Sequence, residues 1–314
     1  MHGLWIESGA VRFRADLPAP EARDGETRVR VVRAGVCATD LALARGYMDF
    51  RGVPGHEFVG IALDGPLAGE RVVGEINAAC GRCSACANGN ERHCPDRTVL
   101  GILGRPGAFA EELALPTRNL HRVPEGVSDE RAAFAEPLAA AFEIPAQVDL
   151  ERFGRALVIG DGRLGLLCAQ VIARHVPAVH LLGRHPERAG WLPPEIRHVS
   201  AMPEGRFPLV VEATGKPHVF QEALGRVEPR GTLVLKTTSE AAAPLDLAPL
   251  VVDELTVVGS RCGPFEPALA ALADGSIQVD PLLQEVYALE DGPRALEHAA
   301  RPGTLKIQLE VTRP

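Results

Sequence analysis

Lysine is almost missing from this chain: Lys216, Lys236 and Lys306 are the only three, and nearly all positive charge is arginine. No basic block occurs and the formal net charge is −8, which argues against nucleic acid as the main partner. Aromatic residues are also scarce, at 4%. No run of about 18 apolar residues exists, so no membrane span is expected. The opening stretch, MHGLWIESGAVRFRADLPAP, lacks the basic and apolar segments of a secretion signal. Seven cysteines without such a signal point to a reducing cytoplasm, where clustered thiols bind metal more often than they form disulfides.

What is present divides into three regimes. The 314 residues suffice for two ordinary domains. Up to about residue 138 the chain is turn-rich, with short β-like runs such as TRVRVVRAGV, FVGIAL and ERVVGEI. Residues 139–261 alternate strand and helix: RALVIG, AVHLLG, FPLVVEATG, GTLVLKTT and LTVVGS alternate with helical or turn segments. That rhythm predicts a parallel, doubly wound sheet. The last stretch holds a helical pattern around PALAALADG and closes on the alternating strand LKIQLEV.

Cys80, Cys83, Cys86 and Cys94 follow the spacing C-x2-C-x2-C-x7-C. The short gaps let successive thiolates face one ion, and Gly81 and Gly89 supply turn freedom. The run begins like that of a bacterial ferredoxin, but there the fourth cysteine follows after three residues. Four thiolates with no open position fit a closed, structural zinc site. Upstream, Cys37, His56 and Glu57 bring a thiolate, an imidazole and a carboxylate, the mixed donors of a catalytic zinc. Glu136, in the apolar stretch AFAEPLAAAFE, is an acid that needs a partner, a metal or a helix start.

RALVIGDGRLGLLCAQVIARH contains Gly160, Gly162 and Gly165 as G-x-G-x-x-G, after a buried strand and opening an amphipathic helix with Leu164, Leu167, Cys168, Val171 and Ile172 on one face. Residues Gly160, Gly162, Arg163, Leu164 and Gly165 are thereby predicted to hold a dinucleotide pyrophosphate on the helix N-terminus. An unphosphorylated ribose calls for an acid at the end of the next strand, but Gly183, Arg184 and His185 stand there. A small residue leaves room for a 2′-phosphate and Arg184 can pair with it, so NADP(H) is favoured over NAD(H). Thr214, in EATG at the end of a later strand, is placed on the nicotinamide side.

In order along the chain, GVCATD, PGHEFVG, the four-cysteine lobe, GAFAEEL, AEPLA, the glycine loop and the closing KIQL resemble the zinc-containing medium-chain dehydrogenase/reductase family, the alcohol and polyol dehydrogenases. The resemblance implies a GroES-like, β-rich catalytic domain (1–138 and 262–314) and a Rossmann cofactor domain (139–261). It implies one catalytic and one structural zinc, with Cys37 and His56 as ligands of the first. Either Glu57 or Glu136 completes that set, and both stay open. Thr39 corresponds to the hydroxyl that carries the alcohol proton, and Asp40 to the acid that orients the ligand histidine. Where relatives have a histidine two residues further on, this chain has Ala42. The implied activity is hydride transfer between a small alcohol and its aldehyde or ketone, in a homodimer or homotetramer. The competing expectation is an inactive paralogue that binds zinc and nucleotide as a regulator.

Overall fold

The computed structural model describes residues 1–238 and 244–312. The chain divides into two compact units. One comprises Met1–Glu136, Phe265–Asp274 and the chain from Leu282 on, and the other Pro137–Pro264 with Gly275–Pro281. The C-terminal stretch, expected to lie wholly in the catalytic domain, is thus interrupted. Gln170 shows why: its side chain accepts the Gln278 N–H at 2.7 Å and donates to the Gln278 carbonyl at 3.1 Å, tying that segment to the second unit. No helix among the described residues is long and apolar enough to cross a membrane.

The first unit is built on a seven-stranded sheet. Its order is Leu120–Arg122, Arg71–Gly74, Glu57–Ala62, Glu26–Gly35, Lys306–Glu310 and Leu283–Ala288, with Glu112–Pro116 also paired to Glu26–Gly35. Valines and leucines alternate inward, and Val29, Val31, Leu113 and Leu115 are fully buried. The long strand Glu26–Gly35 carries the register that matters: Gly35 pairs with Glu57 on one side and with Gln308 on the other. A Cβ on Gly35 would fall 2.2 Å from Glu57 Oε2. The bare glycine therefore leaves the lane through which the Glu57 side chain runs. A smaller sheet, Asn77–Ala78, Thr98–Leu100 and Gly104–Arg105, frames the segment with the four cysteines.

The second unit is a six-stranded sheet in which every neighbouring pair is parallel. Its order is Ile196–Val199, Val179–Leu182, Ala156–Ile159, Phe207–Glu212, Val227–Leu235 and Thr256–Gly259. The chain starts in the middle and winds outward both ways, the doubly wound order that places ligands at the carboxyl ends of the central strands. Ile196–Val199 is a strand that apolar pattern does not disclose, because IRHV carries charge and lies at an edge. The helix Arg163–Ala173 buries every residue from Gly165 to Ile172, more than the single stripe expected, while Leu164 is half-buried. Cys168 sits there as a small apolar side chain, and burial pushes its thiol up to about 11.

Candidate active site and metal centres

The short helix Ala38–Leu43 begins immediately after Cys37. Asp40, fully buried, closes that turn: its Oδ2 accepts the Cys37 N–H at 2.8 Å and its Oδ1 accepts the Gly55 N–H at 3.1 Å. One carboxylate thus fixes two backbone segments, the one bearing Cys37 and the one leading into His56. The same Oδ1 lies 3.3 Å from His56 Nδ1, which is buried and has no hydrogen-bond partner. Glu57 follows on the strand Glu57–Ala62. As a result, donor atoms of Cys37, His56 and Glu57 all lie within 4.8 Å of one another. Thr39 Oγ1 is 4.0 Å from Cys37 Sγ.

This group fits a divalent cation. Thiolate, imidazole and carboxylate are the donor types that zinc takes together. Burial opposes the charging of His56, but Asp40 and Cys37 outweigh it and raise the imidazole well above its ordinary range. The surroundings therefore ask for positive charge at this point.

Glu57 has a second partner that local motif does not announce. Lys306 Nζ donates to Glu57 Oε2 at 2.5 Å and to the Val36 carbonyl at 3.2 Å, with both ionic side chains almost entirely out of solvent. Lys306 starts the closing strand Lys306–Glu310, two residues before Gln308 and so on the same face. Glu136 remains outside the 4.8 Å group. It stands in the first turn of the helix Ala135–Gln147, and burial pushes its carboxyl up to about 7, with His56 pulling the other way.

The cysteine lobe gathers its four thiols from a short loop and helix. Cys83 Sγ lies 3.5 Å from Cys86 Sγ and 3.7 Å from Cys94 Sγ, and the Cys80 N–H donates to Cys94 Sγ at 3.4 Å. None of the seven cysteines, all among the described residues, is in a disulfide. A disulfide needs sulfurs about 2 Å apart, whereas thiolates about 2.3 Å from a common zinc stand about 3.8 Å from each other. The spacing matches the zinc tetrahedron. Backbone donation from Arg82 draws the Cys80 thiol down to about 7, while burial pushes Cys86 up to about 12.

In the second unit the glycine loop joins the strand Ala156–Ile159 to the helix Arg163–Ala173. A Cβ on Gly165 would lie 1.8 Å from the Gly160 carbonyl oxygen, so the helix packs on the loop only with a bare backbone there. Around Gly162, by contrast, a Cβ would meet nothing within 4 Å, and no side chain caps the helix. An open, uncapped N-terminus next to a forced close approach suits a pyrophosphate. Thr214, past the end of the strand Phe207–Glu212, donates its backbone N–H and its hydroxyl to the buried Glu212 at 2.7 and 2.5 Å. Gly183 follows the strand Val179–Leu182, and Arg184 beside it is exposed.

A uniformly parallel sheet with this loop, and a β-rich unit with two soft-donor clusters, define a nucleotide-linked, zinc-type oxidoreductase. Residues 23–125 match the alcohol dehydrogenase GroES-like domain. An L-threonine 3-dehydrogenase of Streptomyces coelicolor is 30% identical over 99% of this chain and 96% of its own length. Alcohol dehydrogenase TADH from a Thermus species superposes with a TM-score of 0.89 at 29% identity, covering 99% of this chain and 100% of that one. Escherichia coli RspB, solved with NADH, superposes with a TM-score of 0.88 at 25% identity, covering 99% of each chain. The chain belongs to the zinc-containing medium-chain dehydrogenase/reductase family. It is an alcohol-dehydrogenase-type enzyme that transfers hydride between an alcohol or carbonyl compound and a nicotinamide cofactor.

Proposed function

We propose that this enzyme oxidises a small alcohol, or reduces the matching aldehyde or ketone, with NADP(H) favoured over NAD(H) and with two zincs per chain. The observation that carries the proposal is the Cys37, His56 and Glu57 group, whose donor atoms lie within 4.8 Å of one another. Zinc held there would supply Lewis-acid polarisation of a substrate oxygen, and a nicotinamide cofactor held by the glycine loop would supply or accept the hydride.

The chain's own groups do the rest. Asp40 holds His56 and Cys37 in place through one carboxylate. Thr39 takes the alcohol proton, and with Ala42 in the sequence that proton passes on to water or another group. Lys306 donates to Glu57 and holds its carboxylate in position. Cys37 and His56 are ligands, and of the two glutamates Glu57 is the one that the geometry brings near. Cys80, Cys83, Cys86 and Cys94 hold the structural zinc. The loop from Gly160 to Gly165, with Arg163 and Leu164 in its helical part, takes the pyrophosphate. Arg184, next to Gly183, pairs with the 2′-phosphate, and Thr214 borders the nicotinamide side.

Thiols gathered in metal-binding groups suit a reducing cytoplasm. A homodimer or homotetramer is supported by the strand Thr256–Gly259, which has one partner strand among the described residues, and by the exposed valines 251, 252 and 257 nearby.

The test is a metal count on purified protein, titration with NADPH and NADH, and a screen of alcohols and aldehydes. Two zincs, tighter NADPH and turnover of one substrate class support the proposal. One zinc with no nucleotide binding overturns it.

A further inference from the structure

The end of the strand Val179–Leu182 is furnished in an unusual way. Gly183 lacks a side chain, but the space it leaves is filled. A Cβ built there would lie 1.9 Å from Asp161 Cγ and 2.2 Å from Asp161 Oδ2. Asp161 is the first variable residue of the glycine loop, between Gly160 and Gly162. Its carboxylate thus stands where the side chain of a strand-end residue would begin.

That carboxylate is buried and heavily engaged. Asp161 Oδ2 accepts the His185 N–H at 2.8 Å and lies 3.1 Å from His198 Nε2. Arg188 donates to the Asp161 backbone carbonyl, and its guanidinium stands 3.7 Å from Oδ1. Asp161, Arg188 and His198 are all nearly out of solvent. The groups facing the carboxylate are therefore His185, Arg188 and His198. The contact to the His185 N–H pins the turn Gly183–His185, whose middle residue is the exposed Arg184.

We infer that Asp161 is a positioning residue for cofactor choice: it locks the turn that carries Arg184 and fills the space in which a strand-end acid, the reader of an unphosphorylated ribose, would have to start. The inference rests on Arg184 meeting the 2′-phosphate, as proposed above. Arg188 and His198 counter the carboxylate's charge, so it does not repel a phosphate nearby. The arrangement also forbids the simplest switch toward NAD(H). An acid introduced at position 183 collides with Asp161 unless Asp161 is removed.

The experiment measures binding of NADPH, NADH, 2′,5′-ADP and 5′-AMP to the full-length enzyme, by fluorescence or calorimetry. In Asp161→Asn the preference for NADPH over NADH falls roughly tenfold, the worth of one charge-assisted contact. Affinity for 2′,5′-ADP falls with it, while 5′-AMP binding holds. If the variant keeps the wild-type NADPH-to-NADH ratio, the inference is overturned and the NADP(H) proposal stands. If the wild type itself binds NADH more tightly, the NADP(H) proposal falls and takes Arg184's role with it.

Should Asp161→Asn fail to fold, the exchange Asp161→Gly with Gly183→Asp clears the space beside position 183 and lets an acid extend from the strand end, where a ribose-reading acid is attached. The exchanged enzyme is expected to bind NADH more tightly than NADPH, and retained NADPH preference overturns the inference.

Discussion

Cys80, Cys83, Cys86 and Cys94 come from fifteen consecutive residues and need nothing distant to face one another. Cys37, His56 and Glu57 come from a helix start, a turn and a strand, and the last is held by a lysine 249 positions further along. The first cluster is local, and its geometry follows from spacing. The second is a product of tertiary structure: Asp40 ties two segments, Gly35 clears a lane, and Lys306 closes it from the end of the chain. A closed local site holds a loop. A site assembled from several elements can keep one side for substrate.

If the contrast is sound, the two clusters break differently. Cys86→Ser removes a thiol from the local cluster and has the largest effect. Structural zinc contributes on the order of 10 kcal/mol of binding energy to the fold around it. The variant is expected to lose one zinc per chain by metal analysis and to be cut by protease within residues 80–94. Retention of both metals and of protease resistance would show that the lobe is not a zinc site. His56→Ala is expected to do the reverse. Turnover falls by roughly a thousandfold, corresponding to several kcal/mol of lost charge stabilisation, while the lobe keeps its metal and resists protease.

Lys306→Met probes the long-range support and comes next. It strands the buried Glu57 carboxylate, and breaking a buried pair costs about 3–5 kcal/mol. The predicted outcome is a clear fall in denaturant midpoint, largely restored in the double variant Lys306→Met with Glu57→Gln, where no charge is left unpaired. If the double variant is as unstable as the single one, Lys306 contributes packing and not charge.

The same contrast explains what could be read from the chain unaided. The cysteine lobe and the glycine loop were legible because close-set residue types carry the chemistry. The two-unit, strand-then-alternation pattern was legible because apolar periodicity tracks buried sheets. Lys306 was not, since a single lysine at the head of an apolar strand gives no sign of a partner that far back. Asp161 hid in a variable position of a motif whose glycines draw the attention, and its role depends on Gly183, which sequence pattern reads as empty space. The strand Ile196–Val199 was missed because its edge position tolerates charge, and the Gly275–Pro281 segment because a single buried glutamine ties it to the cofactor unit.

Thr39 gives the smallest and most selective of these effects. Its hydroxyl lies 4.0 Å from Cys37 Sγ, whereas the carboxylate of Asp40, next in sequence, ties two backbone segments. Valine has nearly its shape without the hydroxyl, so Thr39→Val should leave zinc content, nucleotide affinity and denaturant midpoint unchanged. Losing a positioned proton acceptor costs roughly a hundredfold in kcat. Serine restores the hydroxyl, so Thr39→Ser should recover most of the rate. Because Ala42 offers no imidazole to take the proton onward, no other side chain on this helix can replace the threonine. Full turnover in Thr39→Val would mean that the proton reaches solvent directly from the substrate side of the second cluster.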